Sequence, residues 1–108
     1  MTDHRLTVTM LVELVGPTIL KRRELRALAV DLGAVLKRRS RLADGRIMSN
    51  VLHMSVETLR QVREKATGRQ GAWRCVHPAT GEVRSVTLYG LAERLREKGW
   101  EVEEIGLT

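Results

Sequence analysis

Phenylalanine is absent from this 108-residue chain, cysteine occurs once, proline twice, and aromatic residues make up only 3% of it. The core must therefore rest on Leu, Val, Ile, Met and Ala around Trp73, Trp100 and Tyr89. A single cysteine, Cys75, excludes an intrachain disulfide framework and implies a reducing, cytoplasmic location. Long apolar runs are missing too: the first is broken by Glu13 and by Gly16-Pro17, so neither a signal peptide nor a membrane span is expected, and no membrane partner. Paired Cys-x-x-Cys or His-x-x-x-His spacings, a phosphate-binding P-loop and a dinucleotide-binding glycine fingerprint are all lacking. No internal repeat or low-complexity segment interrupts the chain, and no cofactor is implied.

What is present is positive charge. Lys and Arg number 19 against 13 Asp and Glu, a net charge of +6 that favours acidic partners. Residues 1–41 carry nine basic and four acidic side chains, residues 42–88 seven and four, and residues 89–108 three and five. A polyanion should thus meet the first half of the chain. Glu101, Glu103 and Glu104 should lie away from it, or against the basic segment of a second copy.

The segment Lys21 to Arg41 projects as one amphipathic helix, continuous with a start near Thr18, whose hydroxyl is placed to cap it. At about 100° per residue Leu25, Leu28, Ala29, Leu32, Val35 and Leu36 share one arc, while Arg22, Arg23, Arg26, Lys37 and Arg41 share another. The basic positions form two ends around a small middle of Val30, Gly33 and Ala34. The ends suit phosphates and the middle suits a groove, a strand or a second helix. A charged stripe is also what the solvated face of any surface helix displays, and the Lys37 to Arg41 run complements a helix C-terminus.

Elsewhere period and breakers predict short elements. Arg5 to Val15 alternates with the two-residue period of a half-buried strand, although Met10 to Val15 also contains good helix formers. Ala43-Asp44-Gly45 is a turn. Arg46 to Met54 reads as a strand interrupted at Asn50, and Ser55 caps a helix carrying Val56, Leu59, Val62 and Ala66 that Gly68 stops. Ala72 to His77 and Glu82 to Thr87 flank Pro78-Ala79-Thr80-Gly81 as a hairpin. Leu88, Leu91, Ala92 and Leu95 then form a helical stripe, and Trp100 to Ile105 returns as a strand after Gly99. The expectation is a small single α+β domain, residues 1–108, in the order β-α-β-α-β-β-α-β, with a mainly antiparallel sheet packed against helices.

No set of residues declares a reaction. Cys75 and His77 share a strand face at i, i+2 spacing, and His53 on a neighbouring strand would make a third zinc ligand, but no fourth is indicated. Cys75 as a nucleophile would need an oriented base that the sequence does not locate. Glu57 with Glu64, or Asp31 with Asp44, form no convincing acid and base pair. Trp73 alternates with Arg74, so it is expected inside the core when Arg74 faces out. Arg74 and Arg84 project together only if the hairpin register aligns them.

The segment from Cys75 to Leu95, with Thr80-Gly81-Glu82-Val83 followed by Leu91-Ala92 and Leu95, is loosely similar to modular DNA-binding repeats found beside phage and intron nucleases. That resemblance implies a DNA-facing hairpin and helix, away from the strongest positive charge. The basic arc, and not that resemblance, carries the expected function, a small, non-catalytic nucleic-acid-binding protein. It would contact phosphates through Arg22, Arg23, Arg26, Lys37, Arg38, Arg41, Arg60 and Arg63. The alternative is a protein-binding module or small inhibitor, of the kind phages and mobile elements encode, docking as a monomer or homodimer on an acidic or nucleic-acid-binding protein surface.

Overall fold

A computed structural model describes residues 3–106. Two compact units emerge, Met1–Arg63 and Glu64–Thr108, and the division falls inside one helix. The first unit runs β1 (His4–Leu6), α1 (Val8–Val15), α2 (Arg22–Asp31), β2 (Val35–Arg41), β3 (Ile47–Met54) and most of α3 (Val56–Ala66). The second holds the end of α3, then β4 (Gln70–Val76), β5 (Val83–Leu88), α4 (Tyr89–Glu97) and β6 (Glu101–Gly106). Both sheets have three antiparallel strands, ordered β1-β3-β2 and β5-β4-β6. The α+β class with antiparallel sheets and helices agrees with the sequence expectation. No helix among the described residues is long and apolar enough to cross a membrane.

The order of elements departs from expectation in the first 41 residues. Arg5 to Val15 is not one strand: only His4–Leu6 finds partners, opposite Met54, His53 and Leu52, and the helix latent in Met10 to Val15 prevails. Thr7 starts α1 by accepting a hydrogen bond from the Met10 N–H at 3.2 Å, and Leu11 and Val15, one turn apart, are buried. Gly16, at φ 81°, ends it.

The long helix expected over Lys21 to Arg41 is two elements. Helix α2 stops at Asp31, where Gly33 adopts φ +115° and the Ala34 N–H turns back to the Ala29 carbonyl at 2.9 Å. Residues 35–41 then pair with β3 from Val35↔His53 to Arg41↔Ile47. Lys and Arg are good helix formers, but a ladder satisfies their backbone equally well and gives Val35 its preferred extended form. Thr18 does not cap α2 either. Its hydroxyl accepts from the Leu20 N–H at 3.2 Å, while Glu24 reaches back to the Lys21 N–H at 2.9 Å.

From Arg46 onward the expected elements are found close to their expected bounds. Ser55 Oγ accepts from the Thr58 N–H at 3.0 Å at the start of α3, and Leu59, Val62 and Ala66 are buried along it. Val56 is exposed, unlike the rest of its predicted stripe. In the second unit Trp73, Cys75, Ala92, Leu95 and Trp100 form a core against which Val86, Tyr89 and Val102 pack. Gly90 allows α4 to approach the backbone of α3: a Cβ built there would collide with the Lys65 carbonyl oxygen and lie 2.5 Å from the Lys65 Cα. The Lys65 ammonium, nearly out of solvent, donates to Glu93 at 2.9 Å and Glu97 at 3.2 Å on α4. Burial works to lower the pKa of Lys65, but these two carboxylates outweigh it and the net shift is upward.

Candidate functional site

The β2–β3 hairpin builds the most distinctive concavity of the first unit. Its turn closes with the Leu42 N–H donating to the Arg46 carbonyl at 2.7 Å, and Gly45 supplies φ +91°. Along the ladder Ser40 stands opposite Met48, five residues from His53, a separation of roughly 16 Å in a flat ribbon. Yet Ser40 Oγ lies 2.7 Å from His53 Nε2, so the ribbon folds over on itself. Arg5, opposite His53 on the other side of β3, likewise donates to the Arg41 carbonyl at 3.2 Å. The bend coincides with Asn50, whose φ of 56° makes it the one non-glycine residue at positive φ among those described. Asn tolerates that conformation better than most residues. The interruption seen in the sequence pattern at Asn50 is this bend.

The folded hairpin, the start of α1 and one face of α2 enclose an open cleft of about 660 Å³. Thr7, Val8, Thr9 and Met10 contribute from α1, Arg22, Arg23 and Arg26 from α2, and Leu42, Arg46, Met48, Ser49 and Asn50 from the hairpin. Four arginines therefore converge on a hollow whose lining contains no carboxylate. One guanidinium is already oriented, since Arg22 donates to Thr9 Oγ1 at 2.7 Å. Arg46 is held by Asp44 through its Nε at 2.7 Å. The Arg46 backbone N–H, then its side chain, keeps the Asp44 carboxyl below its ordinary pKa. Like charges gathered on one concave surface raise the local potential, which an anion relieves.

The eight basic residues expected to act together are separated. Arg22, Arg23 and Arg26 line the cleft. Lys37, Arg38 and Arg41 lie on β2 and not on a helix, with strand alternation putting Lys37 and Arg41 on one face and Arg38 on the other. The Arg41 guanidinium donates to the Gly45 carbonyl at 2.9 Å. Arg60 on α3 is clasped by Glu57, whose carboxyl is pulled down to about 2 by hydrogen bonds from Arg60 and Gln61. Arg63 is exposed on the same helix. The small middle expected between two basic helix ends does not exist as a face: Gly33 terminates α2 and Ala34 is buried.

Sequence reasoning missed Arg46, together with the polar Ser49 and Asn50 that share the cleft. The available signal was the Asp44-Gly45 turn, which marks a hairpin and so puts the following arginine beside the incoming strand.

Several cations of the second unit are engaged within it. The Arg69 guanidinium lies 5.2 Å from the Trp73 ring centre and 5.3 Å from that of Tyr89, and it pairs with Glu104 at 3.1 Å. Arg84 stands opposite Cys75 and covers Trp100 at 4.9 Å, whereas Arg74 stands opposite Ser85, so these two arginines occupy opposite faces of the sheet. The hairpin of the Cys75 to Leu95 segment forms as expected. Its turn is tied down by His77 Nδ1, which accepts from the Ala79 and Thr80 N–H groups at 3.2 Å. Trp73 and Trp100 are core residues, as their alternation indicated.

Cys75 is fully buried, and burial pushes its thiol pKa upward, the reverse of what a nucleophilic thiolate requires. His77 lies just past the end of β4, so it does not share a strand face with Cys75, and it meets Trp100 edge-on with 5.0 Å between ring centres. His53 is engaged with Ser40. Among the described residues no group of three His, Cys, Asp or Glu side chains is arranged to hold a metal ion. Comparison with protein-family models, characterised proteins and solved structures returns no match.

Proposed function

We propose that this protein binds nucleic acid through its phosphates, without a catalytic step of its own, and that the arginine-lined cleft of the first unit is the contact surface. The observation that carries this reading is the convergence of Arg22, Arg23 and Arg26 on a hollow whose lining contributes no carboxylate, with Arg46 beside them already paired to Asp44 outside that lining. Guanidinium groups bind phosphate oxygens by paired hydrogen bonds, and a cluster of them at one concave face matches successive phosphates of a strand. The net charge of +6 adds a long-range attraction. Lys37, Arg38 and Arg39 on the exposed β2 strand extend the positive surface, and Arg39 is the cross-strand neighbour of the cleft residue Ser49.

Binding of labelled oligonucleotides measured against salt tests the reading. Each phosphate that the protein neutralises steepens the fall of log affinity with log salt by about 0.7 for single strands and about 0.9 for duplex. The double variant Arg23→Ala/Arg26→Ala should therefore flatten the slope by about 1.4 on a single strand and weaken binding at least about tenfold. Arg60→Ala should change little, because Glu57 already neutralises that guanidinium. Failure of both single-stranded and duplex probes to bind at low salt would overturn the proposal and leave an acidic protein surface as the partner of this face.

A further inference from the structure

The cleft is more than a positive patch, and its shape and apolar lining point to which form of nucleic acid enters it. Resting on the phosphate-binding reading above, we infer that the cleft receives a single unstacked nucleotide, so that the protein selects single-stranded nucleic acid over duplex. The hollow of about 660 Å³ falls in the range of sites that enclose small molecules. It is concave, whereas a duplex is entered by a protruding helix or ribbon placed in its groove. A duplex laid across the opening would reach the rim arginines with its phosphates and leave the interior unfilled.

That interior is chemically mixed in the way a nucleotide is. Val8, Met10, Leu42 and Met48 line it with apolar surface, and Met48 stays 37% exposed, a large side chain left uncovered inside a charged cleft. A flat base gains contact against such methyl and thioether groups while its phosphate meets the arginines. Ser49 and Asn50 add hydroxyl and amide groups able to pair with a base edge. The bend of the hairpin near Asn50 accompanies the placement of Met48, Ser49 and Asn50 across the cleft from the α2 arginines.

The inference is tested by fluorescence anisotropy at low salt with three probes: a fluorescein-labelled dT oligonucleotide, its duplex with dA, and an abasic chain of the same length. The unmodified single strand should bind about tenfold or more tightly than either of the others, since burying its bases against the apolar lining adds to what phosphates supply. Met48→Ala should remove most of that advantage, with a thermal melt confirming that the variant folds. The abasic comparison uses the unaltered protein and decides the question even if Met48→Ala does not fold. Equal affinity for all three probes overturns the inference and leaves phosphate binding standing; no binding of any probe overturns both.

Discussion

Gly90→Ala adds one methyl group at the closest backbone approach made by any described glycine of the protein. Three effects compete. Alanine is the better helix former by up to about 1 kcal/mol, less at the second residue of α4 than in a helix interior. It also restricts the unfolded chain, worth roughly 0.4–1 kcal/mol in the same direction. Against both stands a Cβ that would collide with the Lys65 carbonyl oxygen and lie 2.5 Å from the Lys65 Cα and 2.6 Å from its carbonyl carbon. All three obstacles are backbone, so no rotamer change relieves them, and α4 would have to move by roughly 1 Å away from α3. Such a shift loosens Ala92 and Leu95 in the core and lengthens the hydrogen bonds from Lys65 to Glu93 and Glu97. Overpacking of a close-packed site costs about 1–3 kcal/mol, and the upper part of that range applies where only backbone can yield. The expected net loss is about 1–2 kcal/mol, or a fall in melting temperature of roughly 4–15 °C. Urea titration followed by tryptophan fluorescence reads the affected unit directly, because Trp73 and Trp100 both sit in its core. Gly106→Ala, where a Cβ meets nothing within 4 Å, should stay within about 0.5 kcal/mol of the parent. A Gly90→Ala midpoint equal to or above that of the parent would refute the close-approach argument.

The buried ammonium of Lys65 gives a second expectation: Glu93→Gln/Glu97→Gln removes both charge partners and should cost about 1–3 kcal/mol in the same urea assay at neutral pH. Because the folded-state pKa of Lys65 is raised, the stability it adds in the parent is fully present below its unfolded value and is lost as pH rises through the folded one. The double variant should therefore lose the alkaline part of the parent's stability profile; an unchanged profile would contradict the pairing. Glu57 behaves oppositely: with its carboxyl pulled down to about 2 by Arg60 and Gln61, its contribution exists above the unfolded pKa and disappears as pH falls through the folded one. A carboxyl-detected NMR titration should find Glu57 ionised well below the ordinary glutamate range, and Arg60→Gln should return it most of the way; a normal midpoint in the parent would show that the clasp does not persist in solution.

Much of the architecture was legible from residue order. The Pro78 to Gly81 turn, the Ser55 cap, the Leu59, Val62 and Ala66 stripe and the alternation around Trp73 and Cys75 each rest on neighbours within a few residues, so local chemistry states them. The arginines of α2 were also identified, and three of them line the cleft. The segment from Val35 to Arg41 was misjudged because a Lys- and Arg-rich run carries no strand signature of its own. It becomes a strand only through its ladder with residues 47–53. The Asp44-Gly45 turn held that information, but the helical projection of the preceding residues outweighed it.

Residue order alone accounts for the α+β class, the position of the C-terminal hairpin and the concentration of positive charge in the first half of the chain. These follow from composition and from interactions that span one turn of helix or one hairpin loop. Which arginines line one cleft depends on long-range packing. Arg22, Arg23 and Arg26 meet the hairpin residues Arg46, Met48, Ser49 and Asn50 because the β2–β3 ribbon is bent near Asn50, while Arg46 is paired to Asp44, Arg60 is diverted to Glu57 and Arg84 to Trp100. A charge count cannot foresee this sorting, since a guanidinium's availability depends on partners that the fold supplies from distant parts of the chain.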